Sequence, residues 1–366
     1  MNADPVLSER ASAGQPMCPI WHALEAGQLQ SLAVMGMTKN TGKTVTLNHL
    51  LRQAQRSRRV VGLTSIGRDG EERDQVYQFE KPPVTVPLGC LVATAKDTLY
   101  RAKARYKLMG TTGVHSPMGD IVLVKVTEAG DMEVAGPSRS QDQIKVMALL
   151  RQCGADLVLL DGALGRSHHA SPSVADGVVL ATGAALGGGM ADVIRKTDER
   201  LALLTLPGVD GDWHQRLQVT MSGAGVSLWS EQGQPLWSDT IATLNADQIL
   251  AEQLAATQAQ VVALSGAVGR RLWQVLLQAV AHRPGLRLIV QDGTRVFVDP
   301  AALQAFKRAG GTVAAWRGIR MLGVTLNPFS PFGGSFEPAA FCQMARQHWP
   351  RWAVTDVMYS PSQEAS

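Results

Sequence analysis

Residues 31–44 read SLAVMGMTKNTGKT, and this stretch decides the fold of the chain. A short apolar run ends at Gly36, a small polar loop follows, and the loop closes on Gly42-Lys43-Thr44. The next residues, VTLNHLLRQAQ, have the apolar spacing of an amphipathic helix. Strand, glycine-containing loop and helix in this order suit a polyphosphate, because backbone N–H groups and the helix N-terminus face the anion. The sequence therefore predicts a phosphate-binding loop.

The residue types of this loop suit a nucleotide that carries a metal ion. A lysine ammonium reaches the outer phosphates, and a threonine hydroxyl is a ligand for Mg²⁺. We therefore expect ATP and Mg²⁺ as cofactors, although the loop does not distinguish ATP from GTP. The residues predicted to bind the nucleotide are Thr38, Lys39, Asn40, Thr41, Gly42, Lys43 and Thr44.

Composition places the chain among globular proteins with little net charge. Of 366 residues, 45% are hydrophobic and 18% charged, which excludes a disordered chain. The formal net charge of +4 is too small to indicate nucleic acid as a partner. No signal-like segment and no run of 18 apolar residues is present, so we expect no membrane contact and a cytoplasmic location. The four cysteines lie far apart and predict neither a metal site nor a disulfide framework.

Apolar runs alternate with helical segments through the first part of the chain. Because these runs are apolar on both faces, they predict an α/β fold with a mostly parallel sheet and helices on both of its faces. Strands are predicted at 31–36, 59–66, 120–126, 156–161, 177–181 and 201–206. Helices are predicted at 43–57, 90–108 and 140–153, the second with the basic run RAKARYK on a solvated face.

The pattern changes after Pro207, where a region rich in Gly, Trp, Gln and Ser begins. A second α/β series follows, with predicted helices at 245–257, 268–281, 300–309 and 337–347 and predicted strands at 260–264, 286–291 and 319–326. We therefore predict three parts: an N-terminal extension at 1–30, a P-loop NTPase domain at 31–207 and a C-terminal α/β domain at 208–366.

An acidic residue stands at the tip of the predicted strand in DLVLLDGALGR, residues 156–166. A carboxylate beside a phosphate loop binds Mg²⁺ directly or through water, so Asp161 is predicted as a catalytic residue and, with Thr44, as a metal ligand. Gly162 would let the backbone approach the γ-phosphate. The alternative is that Asp-Gly only begins a turn.

Two further segments supply candidate residues. The loop GLTSIGRDGEERD at 62–74 carries Asp69 and Glu71, which would position water or an attacking group together with Lys43; the alternative is an ordinary polar loop. Late in the chain Asn327 ends a predicted strand and is a candidate for reading the base. The alternatives for this segment are an Asn-Pro turn that closes the strand, or a partner-binding Pro/Gly/Phe loop.

The loop spacing, in which five residues separate Gly36 from Gly42, resembles that of the dethiobiotin-synthetase-like branch of P-loop proteins. That branch belongs with nucleotide-dependent metallochaperones and partitioning ATPases, and Asp161-Gly162 looks similar to its acidic element. Many members carry a second loop lysine that reaches a nucleotide across a dimer interface, one place before Lys39. The resemblance implies a homodimer, while the shifted position leaves Lys39 open between this role and that of a solvated loop lysine.

A narrower resemblance rests on TKNTGKTVTLNHLL, LTSIGRDGE, VLLDGALGR, ATGAALGGG and VTLNPFSPFG. Together these strings resemble the KamB-type subunit of the reactivating factor for adenosylcobalamin-dependent lysine 5,6-aminomutase, over most of residues 31–340. The resemblance implies an ATPase that drives release of damaged cobalamin, with a second reactivase subunit or the aminomutase as protein partner. The alternatives are an ATP-dependent ligase or kinase similar to dethiobiotin synthetase, and a nucleotide-gated scaffold with negligible turnover.

The loop yields a first test. Lys43→Ala should abolish nucleotide binding and leave the fold largely intact, because this interpretation pairs Lys43 only with phosphate. Calorimetric titration with ATP measures the change, and an unchanged affinity would contradict the central hypothesis.

Overall fold

The computed structural model describes residues 18–66, 83–162, 174–223 and 225–357. Within these ranges the chain has an α/β fold, with a nine-stranded sheet flanked by helices, a five-stranded sheet and a two-stranded ribbon. The predicted fold class is confirmed, because six of the eight strand pairings of the large sheet are parallel.

The described elements follow the chain in this order. The strands are β1 (Ser31–Gly36), β2 (Val61–Ser65), β3 (Val84–Val86), β4 (Leu91–Ala95), β5 (Arg105–Ser116), β6 (Gly119–Glu128), β7 (Gly130–Met132), β8 (Leu157–Asp161), β9 (Gly177–Gly183), β10 (Val226–Trp229), β11 (Pro235–Asp239), β12 (Val261–Leu264), β13 (Arg287–Val290), β14 (Thr312–Ala315), β15 (Met321–Asn327) and β16 (Ala353–Asp356). The helices are α1 (Pro19–Ala26), α2 (Lys43–Arg56), α3 (Ser140–Gln152), α4 (Met190–Leu204), α5 (Gly211–Arg216), α6 (Gln218–Ser222), α7 (Asp247–Ala256), α8 (Arg270–His282), α9 (Pro300–Arg308) and α10 (Pro338–His348).

The large sheet has the order β16-β15-β9-β1-β8-β2-β4-β6-β5, and the smaller one β11-β10-β12-β13-β14. Strand β1 lies near the middle of the large sheet, and its side chains alternate between two cores. Leu32 and Val34 share one core with α2, whereas Ala33 and Met35 share the other with α3. Burial on both faces explains why this strand is a continuous apolar run rather than an alternating one.

The end of the chain returns to the large sheet. After the five-stranded sheet, β15 pairs with β9, and β16 pairs with β15. Helix α1, from the predicted N-terminal extension, also contributes Ile20, Trp21 and Leu24 to a core that contains β1 residues. The division into domains at 31–207 and 208–366 stays a prediction. The large sheet contains strands from both sides of residue 207, because β15 and β16 belong to it.

Two predicted elements are wrong. The segment 90–108 is not a helix: it forms β4, a 3₁₀ turn at Lys96–Arg101 and the start of β5. All five residues of β4 are buried, so packing between sheet neighbours prevails over helical spacing. The segment 201–206 is not a strand, because Leu201 and Leu204 continue α4 into a core. Short apolar runs of this kind are compatible with either a strand or a buried helix end.

None of the helices in the described ranges is long and apolar enough to cross a lipid bilayer.

A glycine contact joins α4 to the loop after β13 and offers a stability test. A Cβ at Gly293 would lie 1.8 Å from the Leu203 carbonyl oxygen and 3.1 Å from Leu204 Cα. Because both are backbone atoms, Gly293→Ala should lower the free energy of unfolding by about 1–3 kcal/mol. The control is Gly318→Ala, which meets nothing within 4 Å and should stay within about 0.5 kcal/mol. Urea unfolding compares the two, and equal midpoints would contradict this contact.

Candidate nucleotide-binding site

The loop between β1 and α2 ends in a glycine that the geometry requires. Gly42 has φ +89° and ψ 13°, which is the left-handed region, and it is the N-cap residue of α2 without a side-chain cap. A Cβ at this position would also lie 3.0 Å from Asn327 Cβ. The first N–H groups of α2 therefore lack a side-chain cap, which is the arrangement that binds anions at helix N-termini.

The rest of the loop is held by its own contacts. The Thr41 hydroxyl, 1% exposed, donates to the Thr38 carbonyl oxygen at 2.8 Å. A Cβ at Gly36 would lie 3.0 Å from that same hydroxyl oxygen, so the strand end is close to the loop. Asn40 has φ +63°, a conformation that asparagine tolerates better than most residues. The loop is thus shaped before any ligand binds, which reduces the entropy lost on binding.

Lys43 reaches from the first turn of α2 to the tip of β8. Its Nζ lies 3.2 Å from Asp161 Oδ1 and also donates to the Gly162 carbonyl oxygen. Asp161 is buried, and its Oδ1 has no hydrogen-bond partner among the described residues apart from this ion-pair contact. The sequence interpretation paired Lys43 only with phosphate, and this is corrected. Removing its ammonium also strips a buried carboxylate of its cation, so Lys43→Ala needs a melting curve beside its binding curve.

Sheet pairing brings Asp161 to the phosphate loop. Strands β1 and β8 are parallel neighbours with Val34 opposite Asp161. The Gly162 N–H donates to the Val34 carbonyl at 3.0 Å, and a Cβ at Gly162 would lie 2.8 Å from that oxygen. The glycine therefore permits the close approach of the end of β8 to β1, and its predicted placement near the phosphates stays a prediction.

The side-chain oxygens of Thr44 and Asp161 are of the kind that suits a magnesium ion. Thr44 is buried next to Lys43 in α2, and Asp161 offers a buried carboxylate oxygen without a hydrogen-bond partner in the described chain. No group of three or more His, Cys, Asp or Glu that could hold a metal occurs within the described ranges. An ion held here would therefore take its remaining ligands from phosphate and water, which is how Mg²⁺ commonly binds in proteins.

Three hydroxyl residues that sequence reasoning missed also support the site. The Thr46 hydroxyl donates to the Gly42 carbonyl at 3.0 Å and lies 2.7 Å from Thr325 Oγ1 of β15. On β2, the Ser65 hydroxyl donates to the Asp161 carbonyl at 3.3 Å. In the sequence, their positions at strand ends and in a first helical turn only weakly indicate a role in the site, because only the sheet order shows which strand ends are adjacent.

Asn327 lies against the phosphate loop at the end of β15. Its Nδ2 donates to the Asn40 carbonyl at 2.8 Å, and its Oδ1 accepts from the Phe329 N–H at 3.2 Å. The observed contact is therefore with the loop backbone, while a role in reading the base stays a prediction. The returning strand β15 thus supports the loop from the side opposite β8.

The remaining predicted site residues are placed as follows. Lys39 is exposed on the loop and Thr38 is partly exposed. Asp69 and Glu71 lie outside the described residues, so their catalytic assignment stays a prediction.

Comparison with known proteins adds little. Neither the protein-family models nor the curated proteins contain a match. Among solved structures, the structure of pNOB8 ParA bound to nonspecific DNA matches at 11% identity and a TM-score of 0.24, over 80% of this chain and 88% of that one. A likeness at this TM-score carries no argument, so the expectation that this chain does not bind nucleic acid also stays a prediction.

The Asn327 contact generates a test that separates support of the loop from reading of the base. Asn327→Ala removes the hydrogen bond to the Asn40 carbonyl and should weaken ATP and inorganic tripolyphosphate alike, by up to about tenfold. Calorimetric titration of both ligands measures the two losses. A loss confined to ATP would show that the amide contacts the base instead.

Proposed function

We propose that this chain binds ATP with Mg²⁺ and works as a nucleotide-driven switch with ATPase activity. The observation that carries the proposal is the position of Lys43, the first residue of α2, whose ammonium contacts Asp161 and the Gly162 carbonyl. A cation, uncapped helical N–H groups and a buried carboxylate thus meet at one end of a parallel sheet. These are the groups that a phosphate and its magnesium ion require.

Phosphate binding would rearrange the ion pair. In the described structure the Lys43 ammonium has a carboxylate and a carbonyl as partners. Phosphate oxygens would take over the ammonium, since they carry more charge and are also held by the loop amides. Asp161 and Thr44 would then hold Mg²⁺, which neutralises charge on the outer phosphates. Hydrolysis would depend mainly on such positioning, with water oriented by Asp69 or Glu71.

The same exchange would provide the switch. The chain leads from Asp161-Gly162 into residues 163–173, and from the Ser65 end of β2 into residues 67–82. The described ends of these connections, Ser65 and Asp161-Gly162, would therefore lie beside the position of the outer phosphate. A γ-phosphate that holds neighbouring loops in one conformation, and releases them after hydrolysis, is a common means of controlling a partner.

The partner belongs to the proposal as well. From the KamB-type resemblance we propose a protein partner, which is a second reactivase subunit or an aminomutase, and from the resemblance to the dethiobiotin-synthetase-like branch we propose a homodimer. ATPase assays on the full chain separate this function from its alternatives. Slow basal hydrolysis that a partner protein stimulates would support the switch. Stimulation only by a metabolite would indicate a ligase or kinase, and tight binding without turnover would indicate a scaffold.

The metal assignment gives its own prediction. Asp161→Asn should lower Mg²⁺-dependent hydrolysis by about tenfold or more, because an amide is a weaker ligand for a hard cation than a carboxylate. Binding of nucleotide without Mg²⁺ should persist, since Lys43 and the loop remain. Initial rates at several Mg²⁺ concentrations measure the effect. Asp212→Asn, which changes an exposed carboxylate on α5, is the control, and full turnover in Asp161→Asn would remove Asp161 from the metal site.

A further inference from the structure

The loop that follows β15 has a fixed shape. Its two ends are joined by a hydrogen bond from the Phe336 N–H to the Pro328 carbonyl at 2.8 Å. Within it, the Ser330 N–H donates to Ser335 Oγ at 3.1 Å. The Phe336 ring packs edge-to-face on the buried Phe341 of α10, with 5.1 Å between ring centroids. The loop is therefore preformed, and its position relative to the sheet is set by the core.

Phe329 is tied to the phosphate loop through one side chain. Its N–H donates to Asn327 Oδ1, and the same amide group donates to the Asn40 carbonyl. Phe329 is nevertheless 61% exposed to solvent. An aromatic ring thus remains in contact with water within two residues of a side chain that touches the phosphate loop.

The sheet order gives a bound nucleotide a direction. Asp161, at the tip of β8, lies on one side of β1, and Asn327, at the tip of β15, lies on the other side beyond β9. Three strand spacings separate β8 from β15, which is about 14 Å. With the outer phosphates at Lys43 on the β8 side, as proposed above, the nucleoside end of the ligand would extend toward β9 and β15.

We propose that Phe329 is the stacking platform for the nucleobase, an assignment that rests on the proposed nucleotide-binding function. Asn327 uses its amide to hold the loop, so the exposed ring next to it supplies the apolar surface that a base needs. Stacking on an aromatic face is tolerant of base identity, because every base has a π-face. The site therefore accepts nucleoside triphosphates with little regard to the base, and it binds ATP and GTP with similar affinity.

The test compares ligands with and without a base, on the full chain with Mg²⁺. Phe329→Ala should weaken ATP about tenfold and leave inorganic tripolyphosphate unchanged, because only the base loses its contact. Phe329→Trp should retain ATP binding. The matched control is Phe332→Ala, the same residue type in the same loop at 58% exposure but three residues further from Asn327. That variant should bind ATP as the unchanged protein does.

Each other outcome overturns the assignment. Equal losses for ATP and tripolyphosphate would mean that Phe329 acts through the loop shape. A loss in Phe332→Ala alone would place the base elsewhere, and a change in sedimentation with unchanged ATP affinity would make the ring a protein contact. If the unchanged protein binds tripolyphosphate as tightly as ATP, only the base platform fails. If it binds neither, the proposed function fails and this assignment with it.

Discussion

The ammonium of Lys43 and the carboxylate of Asp161 meet at 3.2 Å because β1 and β8 are hydrogen-bonded in parallel register. Parallel strands end at the same edge of a sheet, so the residue that follows one strand is brought beside the residue that follows its neighbour. The pair lies across that edge, with a lysine from the first helical turn and an aspartate from a strand tip. Everything proposed for the site depends on this adjacency, since a buried carboxylate is costly unless a cation or metal ion compensates it.

The other side of the phosphate loop depends on the return of the chain. Strand β15 is distant from the loop in sequence, yet Thr325 contacts Thr46 across 279 residues, and Asn327 contacts the Asn40 carbonyl across 287 residues. The loop is therefore supported from both sides of β1, by β8 on one side and by β15 on the other. Such support holds the loop in one conformation, so a ligand that binds there would lose less free energy to ordering the loop.

Much of the fold could be predicted because its signals are local. The strand at 31–36 and the helix at 43–56 follow from apolar spacing, from Gly36 at the end of the strand and from Gly42 just before the helix. The helix predicted at 90–108 is wrong because the apolar residues of β4 are buried between neighbouring strands of the sheet. Those strands come from other parts of the chain. The strand predicted at 201–206 is wrong because its four consecutive apolar residues, Leu-Ala-Leu-Leu, fit the buried end of a helix as well as a strand.

For the candidate site, too, some features could be predicted from local sequence and others could not. The sequence by itself determined the phosphate loop with its Gly42-Lys43-Thr44 end as a candidate nucleotide site, and the acidic strand tip Asp161 as a candidate metal ligand, because these depend on residue type and short spacing. Only the tertiary structure decided that Lys43 already has protein partners, that Asn327 holds the loop backbone, and that Phe329 is exposed beside it. Strand order decides these contacts, and strand order results from the packing of the whole sheet rather than from any one segment.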